Sequence, residues 1–518
     1  MKLSLYLRIL VFFVGMVTLG AELSASRLLA PYFGTSMPVW SALIGLILLA
    51  LSLGYYLGGK LADHSPRLKT LMHVVTSAGI CLALLTFVGR PILVMSLAGF
   101  AKMDAGILIG SFISTLLLLG LPMVLLGCAT PFAVRLATED ISHAGTTSGN
   151  LFAFSTMGSF IGSLLPALVL IPWIGTRSTF IFFGLLLIVI CLPGYLMEKS
   201  FKNTGISVIL LILIAGYGVY MTGQPIKPGK DVLFEGESIY QYVQVIEKKN
   251  GHRLLKLNEG LVSHSTYHPK KLLTFREWDY FALAPYFNSY PYNPMKQAKS
   301  WALIGSGAGT SARLITQLYG PVRIKGVELD PLILEVGSKY FDMDSPNFEA
   351  VAQDGRAWIT LDKGRYDVIG VDAYRQPYIP FELATVEFFQ LVRDHLTPSG
   401  VIGINAPQPL GNRSIVNALA TTLSEVFPCV YLLTLRSKSQ TILIVGTKAP
   451  STKEDFFKNT IGLSGNMHRL ASAARPLVEK FESGGMILTD DKAPVERLMD
   501  LVILQTILKG TQSIKKGS

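Results

Sequence analysis

Charged residues are scarce in this sequence, and the scarcity is confined to its first part. Only 16% of the 518 residues are charged and 50% are apolar, whereas soluble domains average about 25% charged residues. The segment 1–226 holds 12 of the 46 lysines and arginines and 6 of the 35 acidic residues. The first part therefore differs from a soluble protein, and the remainder has the composition of an ordinary globular domain.

Cysteine is also rare, and no large patch carries charge of one sign. The four cysteines are scattered and three of them lie in apolar runs, so the sequence shows neither a disulfide framework nor metal-ligand spacing. The net charge of +11 divides almost evenly between the two parts. Because a nucleic-acid partner requires a basic patch or stripe, we expect no nucleic acid as a partner.

Long apolar runs fill the first part. Each of about seven is close to the ~20 residues that a helix needs to cross a bilayer, and the first is too long for a cleavable signal peptide. They lie near Tyr6–Ala30, Val39–Leu61, Leu71–Leu97, Gly106–Leu126, Leu151–Trp173, Phe180–Leu196 and Ile206–Met221. Residues 1–225 are therefore predicted to form a multi-pass transmembrane domain in the cell (inner) membrane, with the lipid bilayer as a partner. Pro122 and Pro131 allow a break in the fourth run.

The basic residues predict an orientation. If every run crosses once, eight lysines and arginines fall on the side of the N-terminus and three on the other, and the positive-inside rule places the N-terminus in the cytoplasm. An odd number of crossings would put the second part outside, whereas a nucleoside cofactor is expected inside. We expect a cytoplasmic second part, with one incomplete crossing or an eighth hidden one.

Two charged residues, Glu22 and Arg27, lie near the end of the first run. A spacing of five places them about 140° apart on a helix, so they do not pair along one face. One interpretation is a polar site between helices. The other is that the helix ends near Leu23 and both charges reach the interface. Glycines in "LSLGYYLGGKLAD" and "STMGSFIGSLLP" predict close packing between helices.

The second part divides by pattern into three segments. Residues 226–300 begin with a Pro/Gly linker and continue with alternating residues around Asn250-Gly251, which predicts a small β subdomain with a hairpin of Tyr240–Glu247 and His252–Leu257. Residues 301–450 alternate strands and helices, which predicts a Rossmann-like α/β domain of methyltransferase type with a parallel sheet. "CVYLLTL" and "QTILIVGT" predict an antiparallel pair at one edge. Residues 451–518 are expected to form a helical extension.

Glycines and an acid at predicted strand ends indicate a ligand site. Gly305, Gly307 and Gly309 lie between a strand and a helix, where glycine allows the backbone to turn tightly and approach a ligand. Glu328 follows Gly309 by 19 residues and ends the next strand. A carboxylate at that place can accept both ribose hydroxyls of a nucleoside.

Two further acids, Asp354 and Asp372, follow the third and fourth predicted strands, and Gly355 comes next to the first of them. If the strand order is 3-2-1-4-5, Gly305 and Asp372 flank one crevice at the carboxyl ends of the strands, where open α/β sheets bind ligands. The alternative for both acids is a helix N-cap.

The segments that carry these residues are "YQYVQVIE", "ALIGSGAGTSARL", "GVELDPLILEVGSKYF", "QDGRAWI", "YDVIGVDAY" and "LTPSGVIGINA". Together they resemble the spermidine synthase (polyamine aminopropyltransferase) family. "LTDDKAPVERLMD", "RLLAPYFGTSMPVW" and "LLGCATPFAVRLA" resemble its subgroup that is fused to a multi-pass membrane domain. The resemblance implies transfer of an aminopropyl group from decarboxylated S-adenosylmethionine to an amine such as putrescine. It also implies that no cofactor is bound permanently and that a homodimer forms.

Residue by residue, the resemblance assigns roles at the site. It implies that Gln241 contacts the nucleoside, that Glu328 binds the ribose and that Asp354 and Gly355 lie beside the adenine. It implies that Asp372 accepts a proton from the amine. An alkylammonium must lose a proton before its nitrogen attacks, and a nearby carboxylate can attract the cation and take that proton.

The sequence departs from the family pattern where the amine is held. Ala308 stands where the family has an aspartate, and Arg375, or Gln376 if the gap shifts, stands where it has a second one. Trp278 and Asp279 are the nearest match to a family triplet that lines the amine pocket. Two alternatives therefore stay open: a transferase that uses intact S-adenosylmethionine with another acceptor, and a transporter or sensor with a non-catalytic domain of this type.

Overall fold

The computed structural model describes residues 2–33, 37–100, 106–222, 224–227, 231–258, 263–374, 379–408, 412–435, 441–482, 484–495 and 497–498. The chain forms two compact units. The helical unit comprises Met1–Gly229, Glu235–Tyr242 and Asn258–Gly260, and the α/β unit comprises Lys230–Phe234, Val243–Leu257 and Leu261–Ser518. Two short segments of the predicted β subdomain thus belong to the helical unit.

Seven α-helices make up the described part of the helical unit. They are α1 (Leu3–Phe33), α2 (Met37–His64), α3 (Leu68–Phe100), α4 (Gly106–Ala137), α5 (Ala144–Leu165), α6 (Ile171–Met197) and α7 (Phe201–Thr222). α1 continues past Leu23, so the alternative of an early helix end is wrong. α4 passes through Pro122 and Pro131 without a break.

Six continuous helical stretches of this part are long and apolar enough to cross a membrane. One of them, Ala144–Met197, has 54 residues because a π-helical turn at Pro166–Leu170 joins α5 to α6. These 54 residues do not form one straight helix, because α5 and α6 run in opposite directions along α1: Gly158 of α5 packs on Phe12, whereas Ile190 of α6 contacts Tyr6. Gly175, with φ +77°, breaks the helical path inside α6. The number of crossings stays a prediction.

Successive helices of this unit run in alternating directions. Three contacts define its N-terminal end: the start of α1 meets the end of α6, the end of α2 meets the end of α4, and the start of α3 meets the start of α7. These contacts are Tyr6 to the carbonyl of Ile190 (2.9 Å), Asp63 to Arg135 (3.3 Å) and His73 to Asn203 (3.1 Å). Arg27, Arg90, Arg177 and Ile226 line one cavity at the opposite end, which we call the exit end.

The predicted close packing is confirmed at Gly54, Gly58, Gly158 and Gly162 but not at Gly59, where a Cβ would meet nothing within 4 Å. A Cβ at Gly54 would overlap the carbonyl of Val124 in α4, and one at Gly158 would overlap the carbonyl of Phe12 in α1. Backbones approach this closely only where no side chain intervenes.

A four-stranded sheet follows the helices, in the order β1 (Val232–Glu237), β2 (Tyr242–Glu247), β3 (Arg253–Leu257) and β4 (Ser265–Tyr267). β2 and β3 pair in antiparallel fashion with Val243 opposite Leu257. β1 and β4 were not predicted, because β1 ("VLFEGE") lacks regular alternation of apolar and polar residues and β4 has only three residues.

The large sheet of the α/β unit has eight strands. They are β5 (Ser300–Ile304), β6 (Arg323–Glu328), β7 (Phe348–Ala352), β8 (Tyr366–Val371), β9 (Leu396–Pro407), β10 (Cys429–Thr434), β11 (Thr441–Thr447) and β12 (Val478–Lys480). The order is β12-β10-β11-β9-β8-β5-β6-β7. The parallel strands β7-β6-β5-β8-β9 thus have the predicted 3-2-1-4-5 order.

The other edge of this sheet differs from the prediction. β10 and β11 are antiparallel, as expected, but β12 pairs with β10 and takes the edge position. The C-terminal extension, predicted to be helical, therefore contributes a strand. Three residues are too few for a periodic pattern to reveal it.

Short helices cover both faces of the large sheet. They are α8 (Glu277–Tyr280), α9 (Pro294–Gln297), α10 (Thr310–Tyr319), α11 (Pro331–Phe341), α12 (Gly355–Leu361), α13 (Val386–His395), α14 (Ser414–Ser424), α15 (Lys453–Asn459) and α16 (Gly465–Ala474). One apolar cluster contains Ile304 and Phe388, and a second contains Trp301 and Leu470. A parallel sheet buried on both faces leaves the carboxyl ends of its strands as the place for a ligand.

Candidate active site

The Gly-rich turn after β5 adopts a backbone conformation that suits glycine. Gly305, Gly307 and Gly309 have φ values of +80°, +53° and +80°, in the left-handed region that costs glycine no steric penalty. A Cβ at position 305 would lie 2.5 Å from the carbonyl oxygen of Asp372. The turn therefore packs directly against the end of β8, as the predicted strand order requires.

Backbone hydrogen bonds tie this turn to the strand that carries Glu328. The N–H groups of Gly305 and Ser306 donate to the carbonyl of Val327 at 2.9 and 3.1 Å. The N–H of Gly307 donates to Oε2 of Glu328 at 3.0 Å. The structure thus brings Glu328 and the Gly-rich turn together.

Glu328 is half-buried at the end of β6. Burial raises its pKa to about 7, although the N–H groups of Gly307 and Asp330 act in the opposite direction. Oε1 has a long contact of 3.4 Å with the N–H of Asp330. This oxygen can therefore accept a further hydrogen bond.

Asp354 and Gly355 form the start of α12. Oδ1 of Asp354 accepts hydrogen bonds from the N–H groups of Arg356 and Ala357, both at 3.0 Å. The helix N-cap that we gave as an alternative is therefore present. A Cβ at Gly355 would overlap the side chain of Ile304 in β5, so glycine lets the helix begin close to the central strand. Contact of these two residues with an adenine stays a prediction.

Asp372 follows β8 directly, next to the central strand. Its N–H donates to the carbonyl of Ile304 at 2.8 Å. Its Oδ1 accepts a hydrogen bond from Nδ2 of Asn405 in β9 at 2.8 Å. The side chain is thereby fixed between the ends of two neighbouring strands.

The surroundings of Asp372 favour its protonated form. Burial raises its pKa to about 7, the hydrogen bond from Asn405 lowers it, and the charge of Glu277 raises it further. Arg276, which pairs with Glu277 at 3.0 Å, lowers it, and Glu328 raises it. A carboxyl group with such a pKa exchanges a proton near neutral pH, which is what a general acid or base requires.

A cleft of about 290 Å³ opens beside this carboxyl group. Its described lining combines the Gly-rich turn with the aromatic rings of Trp278 and Phe281. Among the described residues that line the cleft, Ser306 has a buried Oγ without a hydrogen-bond partner in the protein. Buried polar atoms are usually bonded, so this hydroxyl is available to a water molecule or a polar ligand.

Ala308, where the family has an aspartate, does not line this cleft. It is fully buried in an apolar cluster with Val243, Leu255 and Ile333. Arg375 and Gln376, the other departures from the family pattern, lie outside the described residues.

Asp279 does not face the cleft in the way its alignment implied. Its carboxylate accepts hydrogen bonds from the N–H groups of Thr274 and Phe275, both at 2.6 Å, and from Oγ1 of Thr274. It therefore holds the preceding loop. Burial raises its pKa to about 6. Trp278 lines the cleft as expected, and Phe281 joins it.

Gln241 lies in the turn between β1 and β2. Its N–H donates to Oγ of Ser238 at 3.0 Å. It belongs to the helical unit, whereas the Gly-rich turn belongs to the α/β unit. Its contact with a nucleoside stays a prediction.

Sequence reasoning missed Asn405 and Glu277. Asn405 was detectable as a lone amide in the apolar strand "GVIGINA", where a buried polar side chain needs a partner. Glu277 gave no such signal, because its effect on Asp372 depends on two segments that are far apart in the chain.

Comparison with known proteins adds to this geometry. Residues 287–456 match the family model of the spermine/spermidine synthase domain. A probable polyamine aminopropyl transferase of Bifidobacterium longum (strain NCC 2705) is 33% identical over 287 residues, which are 52% of this chain and 62% of that protein. The chain thus spans less than two thirds of that relative.

Two further similarities differ in extent. Polyamine aminopropyltransferase 2 of Aquifex aeolicus (strain VF5) is 22% identical over 480 residues, 88% of this chain and 90% of that protein. The crystal structure of spermidine synthase from Thermotoga maritima aligns with 47% of this chain and 84% of its own, at 22% identity and a TM-score of 0.36. A score this low adds no argument about function.

The α/β unit is a Rossmann-like domain of methyltransferase type, with a Gly-rich turn and an acid at the end of the next strand. Its residues 287–456 are similar to the spermine/spermidine synthase domain.

Proposed function

We propose that this protein is a membrane-bound transferase of spermidine synthase type. It transfers an aminopropyl group from decarboxylated S-adenosylmethionine to an amine such as putrescine. The observation that carries the proposal is the carboxyl group of Asp372. Held by Asn405 at 2.8 Å beside the Gly-rich turn, it has a pKa raised to about 7 by burial.

The donor is bound as a co-substrate, and no cofactor is held permanently. Glu328 accepts the ribose hydroxyls with Oε1, Gly305, Gly307 and Gly309 allow close approach of the nucleoside, and Asp354 with Gly355 borders the adenine. Gln241 adds a contact from the turn before β2. These residues suit a nucleoside because the N–H of Gly307 fixes Oε2 of Glu328. The other oxygen of this carboxylate can then accept the ribose hydroxyls.

The chemistry proceeds by displacement at carbon. The amine nitrogen attacks the aminopropyl carbon attached to the sulfonium, the carbon–sulfur bond breaks, and methylthioadenosine leaves with the bonding electron pair. The proton lost from the attacking nitrogen passes to Asp372. A base with a pKa near the working pH is suited to this transfer, and the cleft walls Trp278 and Phe281 can stabilise a cation against their ring faces.

The test uses the purified full-length protein with decarboxylated S-adenosylmethionine and a panel of amines. We expect release of methylthioadenosine with at least one diamine. Asp372→Asn is expected to lower the rate by about 10²–10⁴-fold, the usual contribution of a general base. No release with any amine of the panel would refute the proposal.

A transferase that uses intact S-adenosylmethionine is a second candidate. It is favoured by Ala308, which leaves an apolar cluster where the family places a carboxylate. Formation of S-adenosylhomocysteine in the same incubations, without methylthioadenosine, would select this candidate instead. Residence in the cell membrane and self-association as a homodimer complete the proposal, and the apolar helices of the helical unit support the first of these.

A further inference from the structure

A cavity with several charged residues in its lining lies at the exit end of the helical unit, where the empty space, including open solvent, amounts to about 410 Å³. α1, α3 and α6 line it together with Ile226 and Glu237. Its charged residues are three arginines, Arg27, Arg90 and Arg177, and one carboxylate, Glu237, among the described residues that line it. Guanidinium groups stay charged at any physiological pH, so the cavity carries an excess of positive charge.

Hydrogen bonds hold one side of this cavity in place. Arg177 donates from Nη1 to the carbonyl of Pro225 at 3.0 Å and from Nη2 to the carbonyl of Ile226 at 2.8 Å. Glu237 accepts from the N–H of Thr176 at 2.9 Å and from its Oγ1 at 2.8 Å. The break of α6 at the preceding glycine frees the Thr176 N–H for this bond. The carboxylate of Glu237 is therefore committed to Thr176.

Arg90 has no such partner. Within the part of the chain that the structure describes, no hydrogen bond or ion pair reaches its half-buried guanidinium group. The single carboxylate of Glu237 offsets at most one of the three positive charges. Lys227 and Glu235, which lie near the cavity, carry opposite charges and together leave the net charge around it unchanged. The cavity therefore lacks negative charge, which a ligand can supply.

The depth of the arginines indicates which anion. Arg27 follows Leu3, the first residue of α1, by 24 residues, and Arg90 follows Leu68, the first residue of α3, by 22. These spacings correspond to about 36 and 33 Å of helix, slightly more than the ~30 Å hydrocarbon core. Arg27 and Arg90 thus reach the level of the lipid phosphates on that side.

We propose that this cavity binds a phosphate group through Arg90, with Arg27 and Arg177 adding positive charge beside it. Arginine is suited to the role because its planar fork can donate two parallel hydrogen bonds to phosphate oxygens. The phosphate is carried by a lipid headgroup or is a free anion, and the two sources are separated by experiment.

The test uses the full-length protein in detergent and the Arg90→Gln variant, because Arg90 contributes no bond to the described fold. Arg8→Gln is the matched control, an arginine of α1 at the N-terminal end. Native mass spectrometry measures binding of phosphatidylglycerol against diacylglycerol, which lacks phosphate. Thermal shift measures stabilisation by inorganic phosphate against chloride at equal ionic strength.

A lipid source is expected to give one tightly bound phosphatidylglycerol, weakened roughly tenfold or more in Arg90→Gln and unchanged in Arg8→Gln. A free anion is expected to raise the melting temperature with phosphate and to lose this effect in Arg90→Gln. Equal behaviour of Arg90→Gln and Arg8→Gln with both probes overturns the proposal. So does equal binding of phosphatidylglycerol and diacylglycerol when phosphate also gives no rise in melting temperature over chloride.

The directions of the helices support a second inference, which concerns the side of the membrane that each end of the helical unit faces. The N-terminus and Ile226 lie at opposite ends of the helical unit. Eight basic residues lie toward the N-terminal end: Lys2, Arg8, Lys60, Arg67, Lys69, Arg135, Lys199 and Lys202. Arg27, Arg90, Arg177 and Lys227 lie at the exit end, and Lys102 lies outside the described residues. By the positive-inside rule the N-terminal end faces the cytoplasm.

We infer that the chain leaves the bilayer on the side away from the cytoplasm, so that the α/β unit acts there. This differs from the cytoplasmic side expected for a domain that uses a nucleoside donor. A sulfonium nucleoside carries a fixed charge and does not cross a lipid core unaided. The reaction that supplies the donor would then have to be followed by a transport step.

Cysteine labelling in sealed right-side-out membrane vesicles tests this inference with the full chain. Ser472→Cys marks an exposed position of α16, and Ser142→Cys marks an exposed position between α4 and α5 at the N-terminal end. A membrane-impermeant maleimide is expected to label the first variant in intact vesicles and the second only after permeabilisation. The reverse pattern overturns the inference. The four native cysteines are buried or half-buried, and the unsubstituted protein gives their background.

Discussion

Asn405 donates a hydrogen bond from Nδ2 to Oδ1 of Asp372 across 2.8 Å, between the ends of neighbouring strands. Asn405 is itself buried, and the hydroxyl of Tyr374 donates to its backbone carbonyl at 2.6 Å. The amide therefore fixes the carboxyl group of Asp372 at the edge of the cleft. In the proposed reaction Asn405 is therefore a positioning residue and does not touch the reacting atoms.

Replacement of Asn405 by alanine is expected to change the pH dependence of the proposed reaction. The hydrogen bond from Asn405 lowers the pKa of Asp372, so its loss raises that pKa. Because the base must be ionised, the acidic limb of kcat/KM against pH should move to higher pH. Asn347→Ala is the control. Asn347 is not among the residues that line the cleft, and its amide donates hydrogen bonds to Thr316 and Val322. An unchanged acidic limb in Asn405→Ala would contradict the role.

Asp372→Asn is expected to stabilise the protein at alkaline pH. The pKa of Asp372 is about 7 in the folded state against about 3.9 in an unfolded chain. Between these values the folded state binds more protons, so the free energy of unfolding falls as pH rises from about 4 to 7 and stays low above that. The asparagine does not titrate.

The melting temperature of Asp372→Asn should therefore exceed that of the wild type at pH 8 and match it more closely at pH 4. Asp394→Asn, at an exposed position of α13, should show no such trend. A difference between Asp372→Asn and wild type that is independent of pH would count against a buried, protonated carboxyl group.

The order of the parallel strands and the placement of Glu328 and Asp372 followed from the sequence because both depend on local patterns. A strand, a Gly-rich turn and a helix in succession place their residues at the carboxyl edge of the sheet. The partnership of Asp372 with Asn405, and its exposure to the charge of Glu277, join segments far apart in the chain. A single sequence holds no periodic signal for such contacts.

Two mistakes have the same physical origin. Asp279 was matched to an amine-binding residue by its type, yet its carboxylate is taken by the backbone of Thr274 and Phe275. The strand β12 was missed because three residues carry no period. Residue type and short segments are decided by tertiary neighbours, which a pattern along one chain does not contain.

Glu328→Gln is expected to weaken donor binding while leaving the chemical step largely intact. Above the pKa of about 7 the wild-type carboxylate is charged, and the amide keeps its size but loses the charge that strengthens hydrogen bonds from ribose hydroxyls, worth about 1.5–3 kcal/mol. The KM for the donor should rise roughly ten- to a hundred-fold, with a smaller change in kcat. Glu335→Gln, at an exposed position of α11, is the control. A fall in kcat with unchanged KM would argue against ribose binding.

Asp490 links the C-terminal segment to the start of α12. Its carboxylate bonds Nη1 and Nη2 of Arg356 at 3.2 and 2.6 Å and accepts from Oγ1 of Thr385 at 2.6 Å. Asp490→Asn should loosen the helix that begins at Gly355 and raise the KM for the donor several-fold. Asp491→Asn, at the exposed neighbouring position, should leave the KM unchanged. Equal effects of the two variants would show that the link to Arg356 is irrelevant to the site.

Gly305→Ala is expected to destabilise the site by more than backbone strain alone. Alanine at φ +80° costs about 1–2 kcal/mol, and its Cβ would also lie 2.5 Å from the carbonyl oxygen of Asp372. Gly462→Ala separates the two causes, because Gly462 has φ +79° and a Cβ there meets nothing within 4 Å. The melting temperature of the full-length protein should fall further in Gly305→Ala than in Gly462→Ala, and donor binding should be lost in Gly305→Ala alone. Equal melting temperatures would mean that the turn can move away from β8, and the close approach of Gly305 to Asp372 would then not be required for the fold.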